Sequence, residues 1–216
     1  MQFSLLLQIL SKGMLVSIEI FSLTLLFSLP LGLFIAFGRM AKNIFIRNII
    51  KFYISIMRGT PLVLQLMVVY YGPYYIFGIT LSRNYRFIAV IIGFVLNYAA
   101  YFAEIYRGGI ESMPLGQYEA AKLLGYSKTQ TFIRIILPQV IKRILPAVTN
   151  EVITLIKDTS LAYVISVPEM FTEAKAIASA NPTMVPYIVA GIYYYIFNYV
   201  VAFSAETLEN KLGYYQ

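Results

Sequence analysis

The chain has 216 residues, 59% of them hydrophobic and 12% charged, with a mean hydropathy of +0.72; this excludes an ordinary soluble domain and describes an integral membrane protein. Without cysteine or histidine it has no disulfide, no thiolate or imidazole metal ligand, no cysteine nucleophile and no imidazole base. The formal charge of +7 comes from Lys and Arg beside apolar segments, where it serves membrane orientation rather than nucleic-acid binding.

Met1 to Gly13 lacks a basic n-region followed by a small-residue cleavage site, so the first apolar segment is expected to be a retained span. Spans are predicted over Met14 to Phe37, Pro61 to Leu81 and Phe87 to Tyr106, and over the uncharged stretch from Met184 to Ala205. Ile135 to Val167 is apolar but interrupted by Pro138, Pro146, Lys142, Arg143, Glu151, Lys157 and Asp158; it reads as a kinked fourth span lined by protein. The fold class is therefore all-α, about five transmembrane helices in one domain covering residues 1–216, with its core at about 13–206.

In the first span Thr24, Ser28, Gly32 and Ala36 share a face, and such small residues let helices approach closely, here within one subunit. Arg39, Lys42, Arg47, Lys51 and Arg58 follow that span without an intervening acid, and Arg107, Lys122, Lys128, Arg134, Lys142 and Arg143 follow the third. By the positive-inside rule both loops are cytoplasmic, which places the N-terminus outside and Glu206 to Gln216 inside, against the minority signal of Arg83 and Arg86. Thr60 is expected to cap the second span, with Pro61 at its first helical position. Beyond the fourth span, Ser166 to Glu169 reads as a capping box that starts a short amphipathic helix at the outer mouth.

Between the third and fourth spans lies a polar island at about residues 112–137. Glu119-Ala120-Ala121 is followed by three residues and Gly125, then by nine residues and Ile135-Ile136-Leu137-Pro138. Leu124 ends a short helix, Gly125 takes a left-handed turn, and Ser127 to Gln130 forms a capping box for the next helix. Ala120 and Ala121 are small enough for the first helix to lie deep in a partner's groove, and Glu119 offers it one charge.

That spacing, with Arg58-Gly59-Thr60-Pro61-Leu62, Ala103 to Ile110, Leu145-Pro146 and Lys157 to Leu161, resembles the permease subunits of ABC importers for polar amino acids. The resemblance runs from about Gly13 to the C-terminus. It implies an ABC importer permease fold, with Glu119, Ala120, Ala121, Gly125, Leu137 and Pro138 in a cytoplasmic loop that couples to ATPase subunits. It also implies a second permease subunit, an extracytoplasmic amino-acid-binding protein and a multi-pass location in the cell membrane, surrounded by lipid. No G-x-x-x-x-G-K-[ST] loop occurs, so this chain is expected to bind no cofactor and to be no enzyme; ATP and Mg belong to the partner ATPase.

Polar groups within spans mark a path for cargo. Asn97, Tyr101 and Glu104 form one stripe; Asn150, Thr154 and Asp158, flanked by Glu151 and Lys157, form another. Glu104 has an alternative partner in Arg107, three residues on, and Lys157 and Asp158 can compensate each other. The acidic surplus in the spans points to arginine, lysine or histidine, with glutamine or glutamate as the alternative. An ion-coupled secondary transporter would carry inverted repeats, and none is visible.

Overall fold

The computed structural model describes residues 3–82 and 84–212; Arg83 and Gln216 lie outside them. The helices are α1 (Phe3–Arg39), α2 (Ile44–Gly59), α3 (Leu62–Phe77), α4 (Tyr85–Glu111), α5 (Leu115–Leu123), α6 (Lys128–Thr131), α7 (Leu137–Asp158), α8 (Met170–Ala180) and α9 (Val185–Leu212). A π-helical turn, Phe132–Ile136, joins α6 to α7, and a 3-10 stretch, Thr159–Ile165, extends α7.

Helix α4 is the axis of the bundle. Its buried face carries Ala89, Val90, Phe94, Tyr98, Phe102 and Ala103, against which α1, α3 and α7 pack. The small-residue face of α1 does turn inward: Thr24, Ser28, Gly32 and Ala36 are all buried. A Cβ on Gly32 would stand 2.9 Å from the Phe102 Cβ and 3.1 Å from the Ala99 carbonyl, so glycine sets the approach of α1 to α4.

Among the described residues three helices, α1, α4 and α9, are long and apolar enough to cross a bilayer, and α2 with α3 passes only as a pair bent by 110°. Four expectations are corrected. The second span is shorter than Pro61 to Leu81: α3 stops at Phe77, where Gly78 adopts φ 66° and donates to Tyr74 O. The basic segment before it is a helix, α2, because Asn43 caps the amides of Phe45 and Ile46 and no proline or glycine interrupts the chain until Gly59. Pro61 is the cap position of α3 rather than its first helical residue, and the Thr60 hydroxyl donates back to Ile56 O. Finally, Ser166 is not a cap; it sits at φ 59°, and Glu169 caps α8 instead by accepting from the amides of Phe171 and Thr172.

The segment expected to be a kinked fourth span is α7, continuous through Pro146, plus the 3-10 turn, and its helical path begins further back, at the Ser127 cap. Where Pro138 lacks an amide proton, the chain widens: Leu137 N–H donates five residues back to Phe132 O, which gives the proline ring room in an otherwise unbroken helix. Exposed Tyr71, Tyr74, Tyr75, Ile76 and Phe77 crowd the end of α3 away from the basic residues of α2, a composition suited to a membrane interface.

Candidate coupling hairpin and translocation path

The hairpin of α5 and α6 is closed by two hydrogen bonds around the glycine: Tyr126 N–H to Ala121 O at 3.0 Å and Gly125 N–H to Lys122 O at 3.0 Å. This is the paired pattern of a helix end with a left-handed residue, and Gly125 supplies it at φ 79°. The next helix starts with a complete capping box between Ser127 and Gln130. Beneath, Met113, Ile136 and Val140 form a small core with Ile110, Tyr118, Phe132, Ile135 and Ile144. Gln117 and Gln139 exchange side-chain hydrogen bonds of 2.9 and 2.8 Å, and Arg143 donates to Ser112 O at 2.7 Å, so the hairpin is fastened to α4 and α7. A cleft of about 950 Å³ opens at its base, with Arg134, Pro138, Lys142 and Arg143 in its wall.

Not every hairpin residue faces out. Glu119 and Ala120 are exposed, but Ala121 is 1% exposed and turned into the hairpin's own core, so only Ala120 of the pair can admit a partner closely. Leu137 is half-buried and Pro138 exposed. The outward apolar residues are Leu115, Leu123 and Leu124, at 77, 89 and 74% exposure. Counting leucines along an amphipathic pattern could have found them. Three bare leucines beside a charge form a surface that water solvates poorly and a protein groove would cover.

The stripe on α4 is absorbed by the fold. Asn97 is buried and donates to Met57 O and Gln65 Oε1, each at 3.0 Å, which ties α4 to the bend between α2 and α3. Tyr101 lies under the Arg58 guanidinium at 5.3 Å. Glu104 accepts from Arg107 and also stands 3.6 Å from Arg39 and 3.9 Å from Arg58, so one carboxylate gathers cations from α1, α2 and α4.

The stripe on α7 is different. Asn150 and Thr154 are exposed, Glu151 and Asp158 are half-buried, and Lys157 is exposed. Asp158 accepts from the Tyr98 hydroxyl at 2.7 Å, whereas among the described residues no ion pair joins it to Lys157. Tyr98 escaped the sequence reading because its partner is 60 residues away. The arrangement leaves Asn150, Thr154 and Lys157 exposed along α7, with Glu151 and Asp158 partly covered beside them.

At the other end, Glu169 does more than the expected capping box gave it. Besides capping α8 it accepts from the Thr172 hydroxyl at 2.8 Å and the Tyr194 hydroxyl at 3.1 Å, with Ser17 Oγ at 3.5 Å, joining α1, α8 and α9. Glu19 is exposed and shares a cleft of about 410 Å³ with Arg86 and Ser166.

Residues 28–214 match the family described as binding-protein-dependent transport system inner membrane component. The putative glutamine transport system permease protein of Rickettsia bellii is 36% identical over 202 residues, 93% of this chain and 91% of the relative. The L-cystine transport system permease protein of Bacillus subtilis is 37% identical over 209 residues, 96% of this chain and 88% of the relative. A crystal structure of an amino acid ABC transporter with histidines superposes with a TM-score of 0.87 at 30% identity, covering 98% of this chain and 99% of that one.

Proposed function

We propose, from the premise that the chain belongs to the family of binding-protein-dependent transport system inner membrane components, that it is the permease subunit of an ATP-driven importer of polar amino acids, basic ones foremost. The observation that carries this reading is the hairpin: a rigid, capped turn that exposes Leu115, Leu123, Leu124 and Glu119 on a chain with no nucleotide-binding loop of its own. A separate ATPase docks there, two permeases share the path, and a binding protein delivers the amino acid. ATP binding draws the ATPases together and the hairpins carry that motion into the spans; nucleotide acts by stabilising one of two states. The test is co-purification with the ATPase encoded alongside it, then ATP hydrolysis in proteoliposomes. Stimulation by an amino acid is the expected result; absence of any associated ATPase would sink the reading.

The direction of transport follows from topology, with the hairpin in the cytoplasm, the N-terminus outside and the C-terminus inside. The chain has no cysteine, so single cysteines report cleanly. Cysteines at Met40, Gly125 and Gln216 should react only from the cytoplasm and one at Ala180 only from outside. Outside labelling of position 125 would reverse the scheme.

The cargo proposal rests on α7. Relatives named for glutamine and cystine do not agree on a cargo, but Glu151 and Asp158 offer counter-charge to a cationic side chain. Asp158→Asn and Glu151→Gln keep size and hydrogen bonding and remove charge. They should weaken transport of arginine or lysine by about 1–3 kcal/mol and that of glutamine much less. Equal losses across cargoes, measured by competition uptake, would mean that these acids hold the helices and that selectivity lies elsewhere.

A further inference from the structure

Helix α2 has three distinct sectors. Ile50, Tyr53, Ile54 and Met57 face the bundle and pack with Ile35, Ala36, Ala99, Ala100 and Ala103. The fit is close, since a Cβ on Gly38 of α1 would stand 3.1 Å from Ile50 Cγ1. Phe45, Ile49, Phe52 and Ile56, spaced three and four residues apart, form a second apolar sector that covers nothing: they are 71, 51, 68 and 40% exposed. Between the two, on the remaining edge, lie Arg47 and Lys51, with Asn48 and Ser55 beside them and Lys42 just ahead of the helix. Ile44–Gly59 contains no acid. Among the described residues no ion pair holds Lys42, Arg47 or Lys51, in contrast to Arg39 and Arg58, which Glu104 engages.

Orientation gives this pattern its meaning. α2 is bent by 110° from α3, so with α3 across the membrane α2 lies close to the membrane plane. The link of Arg39 and Arg58 to Glu104 puts α2 at the end of α4 that leads into the hairpin. A helix in the plane with one sector on the protein, an apolar sector facing lipid and a cationic edge has the composition of an interfacial helix.

We infer that α2 is an interfacial helix whose cationic edge, Lys42, Arg47 and Lys51, binds the phosphate headgroups of anionic lipids in the leaflet on the hairpin's side. A second copy of the chain is the other possible occupant of the apolar sector. A twofold contact there would bring uncompensated cations of both copies together, which disfavours it. Anionic lipid meets both requirements at once, with acyl chains against Phe45 and Phe52 and phosphates against the cations. Through Ile54 on the bundle and Asn97 on Met57, the lipid-bound helix also holds the start of α3 in place.

The test needs no transport activity, so its outcome is independent of the function proposed above. In the full-length chain, spin labels on Phe52→Cys and Asn48→Cys are compared in vesicles of phosphatidylcholine with and without phosphatidylglycerol. The label at 52 should be more accessible to oxygen than to a water-soluble nickel chelate, and the label at 48 the reverse. Spin-labelled phosphatidylglycerol should be retained over phosphatidylcholine. Arg47→Gln and Lys51→Gln should each lower that preference roughly fivefold, and added salt should lower it in the native chain. Chelate access at 52, dipolar broadening between labels of two copies, or an unchanged lipid preference in the double variant would overturn the inference.

Discussion

Gly125→Val is expected to cut ATP-driven amino-acid uptake at least about fivefold while the subunit is still inserted at native levels. The glycine sits at φ 79° with nothing within 4 Å of a built Cβ, so the penalty is one of backbone strain and not of collision. A β-branched residue in the left-handed region costs about 1–3 kcal/mol, a factor of roughly five to over a hundred in the population of the native turn. The strain falls where Tyr126 N–H reaches Ala121 O, the bond that sets the angle between α5 and α6. Gly125→Asn is the discriminating control, since asparagine tolerates this conformation and should retain most uptake. Glu119→Lys acts on the same step by a different route, placing like charge at the docking surface without altering the turn. The measurement is uptake in proteoliposomes alongside the amount of ATPase retained on purification. Normal uptake in both Gly125→Val and Glu119→Lys would show that this hairpin does not transmit the ATPase motion.

The second large effect concerns Glu169. Its carboxylate is 0% exposed and accepts from Phe171 N–H at 2.8 Å, Thr172 N–H at 2.7 Å, Thr172 Oγ1 at 2.8 Å and Tyr194 OH at 3.1 Å. Alanine would leave these donors buried without an acceptor, and each such group costs about 1–3 kcal/mol. Water has little room to substitute, because the backbone of Met170 would lie 2.9 Å from a Cβ on Gly13 of α1. For Glu169→Ala a loss of about 3–5 kcal/mol is expected, which at roughly 2–4 °C per kcal/mol lowers the midpoint of thermal unfolding in detergent by on the order of 10 °C. Glu169→Gln retains one carbonyl acceptor and should fall between. A midpoint for Glu169→Ala indistinguishable from the native value would mean that α8 is held by its apolar contacts with Leu10, Met14 and Ala190 alone.

Much of the hairpin was legible in the sequence because its signals are local. A left-handed glycine and a Ser-x-x-Gln cap each act within a few residues, and groups a few residues apart satisfy them; the widened turn before Pro138 is visible only in the structure. The buried stripe of α1 was equally readable, since four small residues on one helical face have few uses other than close packing. The resemblance carried by the hairpin pattern and its flanking motifs is borne out by the family match over residues 28–214.

Tertiary structure alone decided which polar residues are free. Asn97, Tyr101 and Glu104 have the spacing of a path-lining stripe, yet α2 and α3 bring Met57, Gln65 and Arg58 against them, and the stripe becomes a fastening between helices. On α7 the same spacing remains exposed at Asn150 and Thr154, because among the described residues no helix covers those two side chains. Periodicity states which residues share a face, but not what lies opposite. The cap of α8 passed from Ser166 to Glu169 for the same reason: both can cap a helix, and only Glu169 is also met by a tyrosine from α9 and a serine from α1. What the sequence determined by itself was the membrane-embedded all-helical class, the hairpin and the cationic flanks, all of them fixed by local chemistry. Contacts between residues distant in the chain decided which polar groups fasten helices and which stay exposed, since a buried donor or acceptor takes whichever partner the packing brings within reach.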